Sequence, residues 1–376
     1  MNNIKIQKYC IIIFLLSINS LLSTTFTIYE KYWYAFLFIL AVGSSLLAIM
    51  SLNILGMSAY SFLKHRYQQL YQSKKINFRL STRMRSYCYI VPCYNESREE
   101  LCRTLNSIAF QQPYATTDKR FLFIICDGKV AGKGNNKTTD KILIDELLSS
   151  NIKSLQIDDI NTENENKHNY NYKYKTWDNA FKDVDLYSGK YRSLPYILIV
   201  KHENCGKRDS LVLIRRFLFY YNKWANTKKP IITDIATSWF NYNLWMAIIQ
   251  KIQLAIGINT PVDYIIGTDA DTVLHKDCTR HLIDTIETRP TIMGCVGLVD
   301  ISIECNPWSP FVLYQTAEYL FAQLLKRRHQ SLITHKVNCL SGCVQILKVG
   351  LETCGDRKST RLNSSHEWIS RMPSSA

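Results

Sequence analysis

From Ser86 onward, short runs rich in β-branched and apolar residues alternate with stretches of helical spacing. SYCYIVPCYN precedes an expected helix from about Arg98 to Phe110, and FLFIICDG precedes one from about Lys141. PYILIVK precedes a helix from Asp209 to Trp224, and DYIIGTDAD precedes one near Lys276 to Thr288, ahead of the further apolar run TIMGCVGLV. This alternation predicts an α/β fold with a mostly parallel sheet and helices on both faces. Ligands of such sheets sit beyond the carboxyl ends of the strands. Asn95 with Glu96, Asp127, and Asp269 with Asp271 fall at those ends, so one shared site is expected. The interval Ser150 to Asp185 is rich in Asn, Asp, Lys and Tyr and has no apolar period, which predicts a surface insertion without chemistry. Pro310 to Gln330 has helical spacing closed by Lys326 to His329, as expected of a core or membrane-surface helix with cations at its C-terminal dipole.

The ends of the chain read differently. Tyr32 to Leu55 is free of charge and long enough to cross a hydrocarbon core of roughly 30 Å as a helix. The weaker apolar run Tyr9 to Tyr29 is either a first crossing or the apolar part of a signal sequence behind Lys5 and Lys8. Residues 1–63 are therefore expected to hold one or two transmembrane helices, at about 9–29 and 32–55. Lys64, Arg66, Lys74, Lys75, Arg79, Arg83 and Arg85 follow with no acidic residue among them, and the positive-inside rule places the domain 64–355 in the cytosol. The sequons at Asn95 and Asn136 are silent on that side. Residues 356–376 lose apolar periodicity and resemble one reading frame through a sequencing-library adapter, so they are set aside as an artefactual tail.

The chain has 376 residues, 47% of them hydrophobic, enough for a substantial core. Its net charge of +15 is spread along the sequence and suits anionic partners such as phosphates or lipid headgroups. No zinc-finger spacing supports nucleic acid, which is not expected as a partner. The twelve cysteines are scattered without a CxxC pair and read as reduced, mostly buried residues.

Four segments carry candidate chemistry. An Asp-Xaa-Asp at a strand end, Asp269 and Asp271, can place two carboxylates on one side of the pleat and hold a hard divalent cation on a diphosphate. As a calcium loop it fails, since Leu274 stands where Gly is needed and Arg280 where Glu is needed. A cap for the next helix accounts for Thr272 or Asp277 but leaves the pair unexplained. NCGKRDS opens a helix after a strand, where backbone amides, Lys207 and Arg208 suit an anion or simply a solvated basic helix start. It is not a Walker loop, because Lys201 and Arg208 occupy two of the required positions. At FLFIICDG, Asp127 ends a strand and Gly128 permits the turn, with an Asx-type turn as the plain alternative. CLSGC sets Gly342 in a tight turn where another group can approach.

In order, VPCYNE, FIICDGKVAGKGN, GKRDS, DADT, LYQTAEY and VNCLSGC resemble the chitin synthases, family 2 glycosyltransferases, over roughly Ser86 to Gly350. The likeness is to the fungal-type subgroup with N-terminal transmembrane segments. The resemblance implies a GT-A, Rossmann-like domain that transfers N-acetylglucosamine from UDP-N-acetylglucosamine to a β-1,4 chitin chain with inversion. It implies donor contacts from Glu96, Asp127, Lys207, Arg208 and Asp269, and Mg²⁺ or Mn²⁺ on Asp269 and Asp271. The turn at Gly342 and Cys343 would lie on the acceptor side. It further implies the lipid bilayer as a partner and the plasma membrane as the location; a homo-oligomer is compatible with the sequence. Ser341 stands where the family usually has proline, and Leu211 where it has glutamine. Two rival readings remain: another processive membrane glycosyltransferase of the hyaluronan or cellulose type, and a non-catalytic nucleotide-binding membrane protein. The family's general base lies in a Glu-Asp-Arg stretch after the CLSGC-like turn, expected beyond Gly355 and absent from the sequence as written. The chain is therefore expected to bind donor and metal without polymerising. Labelled N-acetylglucosamine appearing in insoluble polymer would contradict this.

Overall fold

The computed structural model describes residues 83–132, 135–149, 153–154, 172–176, 179–227, 229–289, 291–299 and 342–355, with isolated positions elsewhere. The chain divides into two compact units, Met1–Ile76 and Asn77–Ala376. Both expected membrane segments, and the expected helix Pro310 to Gln330, lie outside the described residues apart from isolated positions. Among the described residues no helix is long and apolar enough to cross a membrane.

The second unit is built on one sheet. In chain order its elements are β1 (Ser86–Cys93), α1 (Arg98–Ala109), β2 (Lys119–Asp127), α2 (Thr139–Lys141), β3 (Lys153–Ser154), β4 (Tyr172–Lys175), β5 (Phe181–Tyr191) and β6 (Leu194–Lys201). Then come α3 (Lys207–Thr227), α4 (Pro230–Thr237), α5 (Tyr242–Ile256), β7 (Tyr264–Thr268), α6 (Cys278–Thr288), β8 (Gly294–Val296) and β9 (Val344–Lys348). The strand order is β3-β5-β6-β2-β1-β7-β9-β8, with β4 paired to β5. β6, β2, β1 and β7 are mutually parallel, and all the pairings outside them are antiparallel.

All eight residues of β1 are buried, as expected of a strand covered on both faces. Its alternation divides the core: Cys88 and Ile90 join α3 and α5 on one face, while Tyr87, Tyr89, Val91 and Cys93 join α1 and α6 on the other. On the first face Phe217 packs its ring 5.3 Å from Phe240 and 4.8 Å from Trp245. α1 starts at a capping box in which Glu100 N–H donates to Ser97 Oγ and Ser97 N–H to Glu100 Oε2. That cap fixes where the chain turns after β1.

One expectation needs correction, two are refined, and two helices are added. The interval Ser150 to Asp185 is not wholly a surface insertion: β4 and the start of β5 form an antiparallel pair within it, with Tyr172, Tyr174 and Val184 buried. β4 and β5 each alternate buried and partly buried positions over a short length. The helix from Lys141 is a π-helical turn, Ile142–Leu147, continuing α2. TIMGCVGLV supplies only β8, and it pairs antiparallel with β9 rather than extending the parallel set. α4 and α5 were not anticipated, although α5 carries an Asn241 cap whose Oδ1 accepts Leu244 N–H at 3.1 Å.

Phe217→Ala should cost about 3–5 kcal/mol, since it empties a fully buried aromatic position. A chemical-denaturation midpoint that does not move would show that Trp245 and Phe240 close over the space.

Candidate functional site

The connections after β1 and β6 run to opposite sides of β1, so the sheet has its switch point between β1 and β7. A cleft of about 400 Å³ opens there, lined among others by Glu96, Asp127, Asn204, Lys207, Asp269 and Asp271. The lining comes from the carboxyl ends of the parallel strands and from the segments that follow them.

After β1, Glu96 folds back so that its Oε2 accepts the N–H groups of Tyr94, at 2.7 Å, and Asn95, at 3.1 Å. Burial pushes its carboxyl above the usual range despite those amides, and the Asp271 charge adds to the shift. The loop after Gly128 closes on this turn. Asn135 Nδ2 donates to Glu96 O at 3.3 Å, and a Cβ at Gly132 would stand 2.0 Å from Asn95 O. Only glycine fits that approach.

After β2 and β6 lies a buried ion cluster. The Lys201 ammonium, fully buried, donates to Asp127 Oδ1 at 3.2 Å and to Asp209 Oδ2 at 2.7 Å. Cys205 N–H also donates to Asp127 Oδ1, at 3.1 Å, and Tyr174 OH donates to Asp209 Oδ2 at 2.7 Å. Burial raises the Tyr174 phenol, and Asp209 raises it further, so the hydroxyl keeps its proton as donor. Gly128 at φ +93° and Gly206 at φ +88° let the two loops turn tightly around this cluster.

After β7, the chain leaves the strand at Thr268, so the two aspartates sit in a turn closed by Thr272 N–H on Asp269 O, at 3.2 Å, rather than on the pleat. Ala270 between them is buried, and its carbonyl accepts Thr104 Oγ1 from α1 at 2.8 Å. Anchoring the middle residue leaves Asp269 and Asp271 lining the cleft. The ammonium of Lys207, in the first turn of α3, is hydrogen-bonded to Asp269 Oδ1. Asp269 N–H meets Cys343 O at 3.4 Å, and a Cβ on Gly342 would lie 3.6 Å from both Asp269 Oδ1 and Lys207 Nζ.

The structure thus brings Glu96, Asp127, Lys207, Asp269 and Asp271 together and sets the Gly342–Cys343 turn against the Lys207–Asp269 pair. Arg208 is exposed and does not line the cleft, because the helix carries it round from Lys207. Asp127 is neither a bare strand end nor an Asx turn; its Oδ1 is committed to Lys201 and Cys205. Asp277 stands at the N-cap of α6 without a side-chain capping bond. Sequence reasoning passed over Lys201, Asp209 and Tyr174. The signal for Lys201 was a charge closing an otherwise apolar strand, PYILIVK; Tyr174 fell within the discounted interval.

Four lining carboxylates, Glu96, Asp127, Asp269 and Asp271, face one lining ammonium, Lys207. An anionic ligand would be repelled unless a cation accompanied it. The donors are hard oxygens, which suit Mg²⁺ or Mn²⁺ held by one or two carboxylates with ligand phosphates completing the shell. No group of three or more His, Cys, Asp or Glu able to hold a metal ion occurs among the described residues.

Fold and cleft place the second unit among α/β proteins with a ligand crevice at a sheet switch point. The family profile of the chitin synthases matches residues 59–371, a span whose end lies within the tail set aside above. The chain belongs to the chitin synthase family. It is 31% identical over 353 residues to chitin synthase 8 of Gibberella zeae, covering 94% of this chain and 48% of that protein. With chitin synthase 8 of Verticillium dahliae it shares 29% identity, covering 94% of this chain and 56% of the relative. The chain spans about half the length of these relatives. Among solved structures, the mannosyltransferase PcManGT from Pyrobaculum calidifontis, in complex with GDP-Man and Mn²⁺, covers 80% of this chain and 56% of that chain at 13% identity. Its TM-score is 0.35, a likeness too slight to bear on the site.

Lys201→Met should destabilise the protein by about 3–5 kcal/mol, because it leaves two carboxylates buried around an apolar side chain. Tyr174→Phe removes one hydrogen bond to a charged group and should cost about 1.5–3 kcal/mol. Equal denaturation midpoints for the two variants would show that Lys201 is not the centre of the cluster.

Proposed function

We propose that the cleft is the donor site of a GT-A glycosyltransferase that moves N-acetylglucosamine from UDP-N-acetylglucosamine onto a growing β-1,4 chitin chain with inversion. The observation that carries this reading is the set of carboxylates and one lysine at or after the carboxyl ends of four parallel strands, in a chain of the chitin synthase family. In this reading Glu96 and Asp127 lie by the uridine. Their places past β1 and β2, nearest the loop Gly128 to Asn135, support that assignment. Lys207 lies by the diphosphate, and Arg208 contributes at most from the outer side of the same helix turn.

Asp271, helped by Asp269, would hold Mg²⁺ or Mn²⁺. Such an ion supplies charge neutralisation to the departing UDP. The protein's own part is to hold the carboxylates on a turn pinned through Ala270 and Thr104, and to present an ammonium from the start of α3, where the helix dipole also favours the phosphates. Inversion needs a base to take the acceptor hydroxyl proton. The acceptor chain would approach past Gly342 and Cys343. The enzyme would be a multi-pass protein of the plasma membrane with this domain in the cytosol, supported by the charge-free stretch Tyr32 to Leu55 and the basic residues that follow it.

In a binding titration with Mg²⁺, UDP-N-acetylglucosamine should bind more tightly than UDP-glucose or UDP-glucuronate. Asp271→Asn should weaken the Mg²⁺-dependent part at least roughly tenfold while leaving the melting temperature nearly unchanged, since Asp271 is exposed. Preference for UDP-glucuronate or UDP-glucose would instead favour a hyaluronan- or cellulose-type enzyme.

A further inference from the structure

The Lys207 ammonium is hydrogen-bonded to Asp269 Oδ1, an atom a divalent cation in the cleft could also take. A metal on that oxygen would stand at about 2.0–2.2 Å, and a lysine hydrogen-bonded to the same oxygen would meet it cation against cation. We propose that Lys207 acts as an exchangeable counter-ion that selects the metal–diphosphate complex over the bare metal. Without a ligand it neutralises Asp269. When a metal-bound diphosphate arrives, its oxygens offer the ammonium a stronger charge-assisted partner, and Asp269 is released to the metal. This rests on the metal-diphosphate reading given above.

Three features fit the exchange. The Lys207 side chain is 47% exposed and that of Asp269 22%, so their ion pair is a weak one that a ligand can break. The residue before Lys207 is Gly206, with open space around it and φ at +88°, at the free edge of the turn. Asp271 has no lysine at its carboxylate among the described contacts; its Oδ1 meets Thr272 Oγ1 at 3.4 Å, so the metal would keep one carboxylate ready at all times. Gly342 adds a boundary, since a Cβ there would stand 3.6 Å from both Asp269 Oδ1 and Lys207 Nζ.

Two affinities separate this role from a structural one: Mn²⁺ alone, followed by its own paramagnetic signal, and UDP in saturating Mg²⁺. In Lys207→Met, bare Mn²⁺ should bind about twofold to fivefold more tightly, the range of a half-exposed ion pair. UDP should bind at least roughly tenfold more weakly. Lys207→Arg should restore both toward wild type. A damaged fold would weaken both affinities together, so the opposite signs are the signature. The gain for Mn²⁺ should disappear in an Asp269→Asn background, because the competition is for that carboxylate. A gain that persists there is a general charge effect and overturns the proposal, as does unchanged, weakened or undetectable Mn²⁺ binding by Lys207→Met. If Mn²⁺ tightens through Asp269 but UDP binds neither protein, the competition stands and the nucleotide reading falls.

Discussion

A single buried ammonium holds the ends of the site together. Lys201 closes β6 inside the protein, between Asp127 at the end of β2 and Asp209 in the first turn of α3. A lysine in that position would be intolerable alone, and two carboxylates would be equally so without it. Because each needs the others, the two strand ends and the helix start adopt one mutual arrangement. Tyr174 completes it from an antiparallel hairpin that otherwise has no part in the cleft. The position of Lys207, two residues before Asp209 on the same turn, follows from this cluster.

The parallel centre of the sheet was plain from the sequence because strands buried on both faces are nearly continuous apolar runs. VPCYNE, CDG and DADT were legible for the same reason: each places a polar group where such a run stops. The antiparallel flanks were less legible. β4 and β5 alternate buried and exposed residues over short lengths, and their tyrosines read as polar until Tyr174 is seen with its ring in the core and its hydroxyl on Asp209. Arg208 illustrates another limit. Adjacent residues on a helix point about 100° apart, so a basic pair in sequence is not a pair in the cleft.

Charge sets what the acidic walls of the cleft can hold. Burial of Lys201 between Asp127 and Asp209 removes one cation from the reach of any ligand, leaving Lys207 as the ammonium among the lining residues. If the cleft is the donor site proposed above, affinity for a diphosphate would depend on a metal, and the coupling would need no moving part larger than a side chain. Membership of the chitin synthase family is consistent with that economy.

The pairing of β9 with β7 has its own consequence. Thr268 lies opposite Val344, so the turn at Gly342 reaches Asp269 through the register of a strand ladder. A one-residue slip of β9 would reverse every side chain along it and carry Gly342 away from Asp269. Alignments of such proteins should therefore be anchored on the ladder.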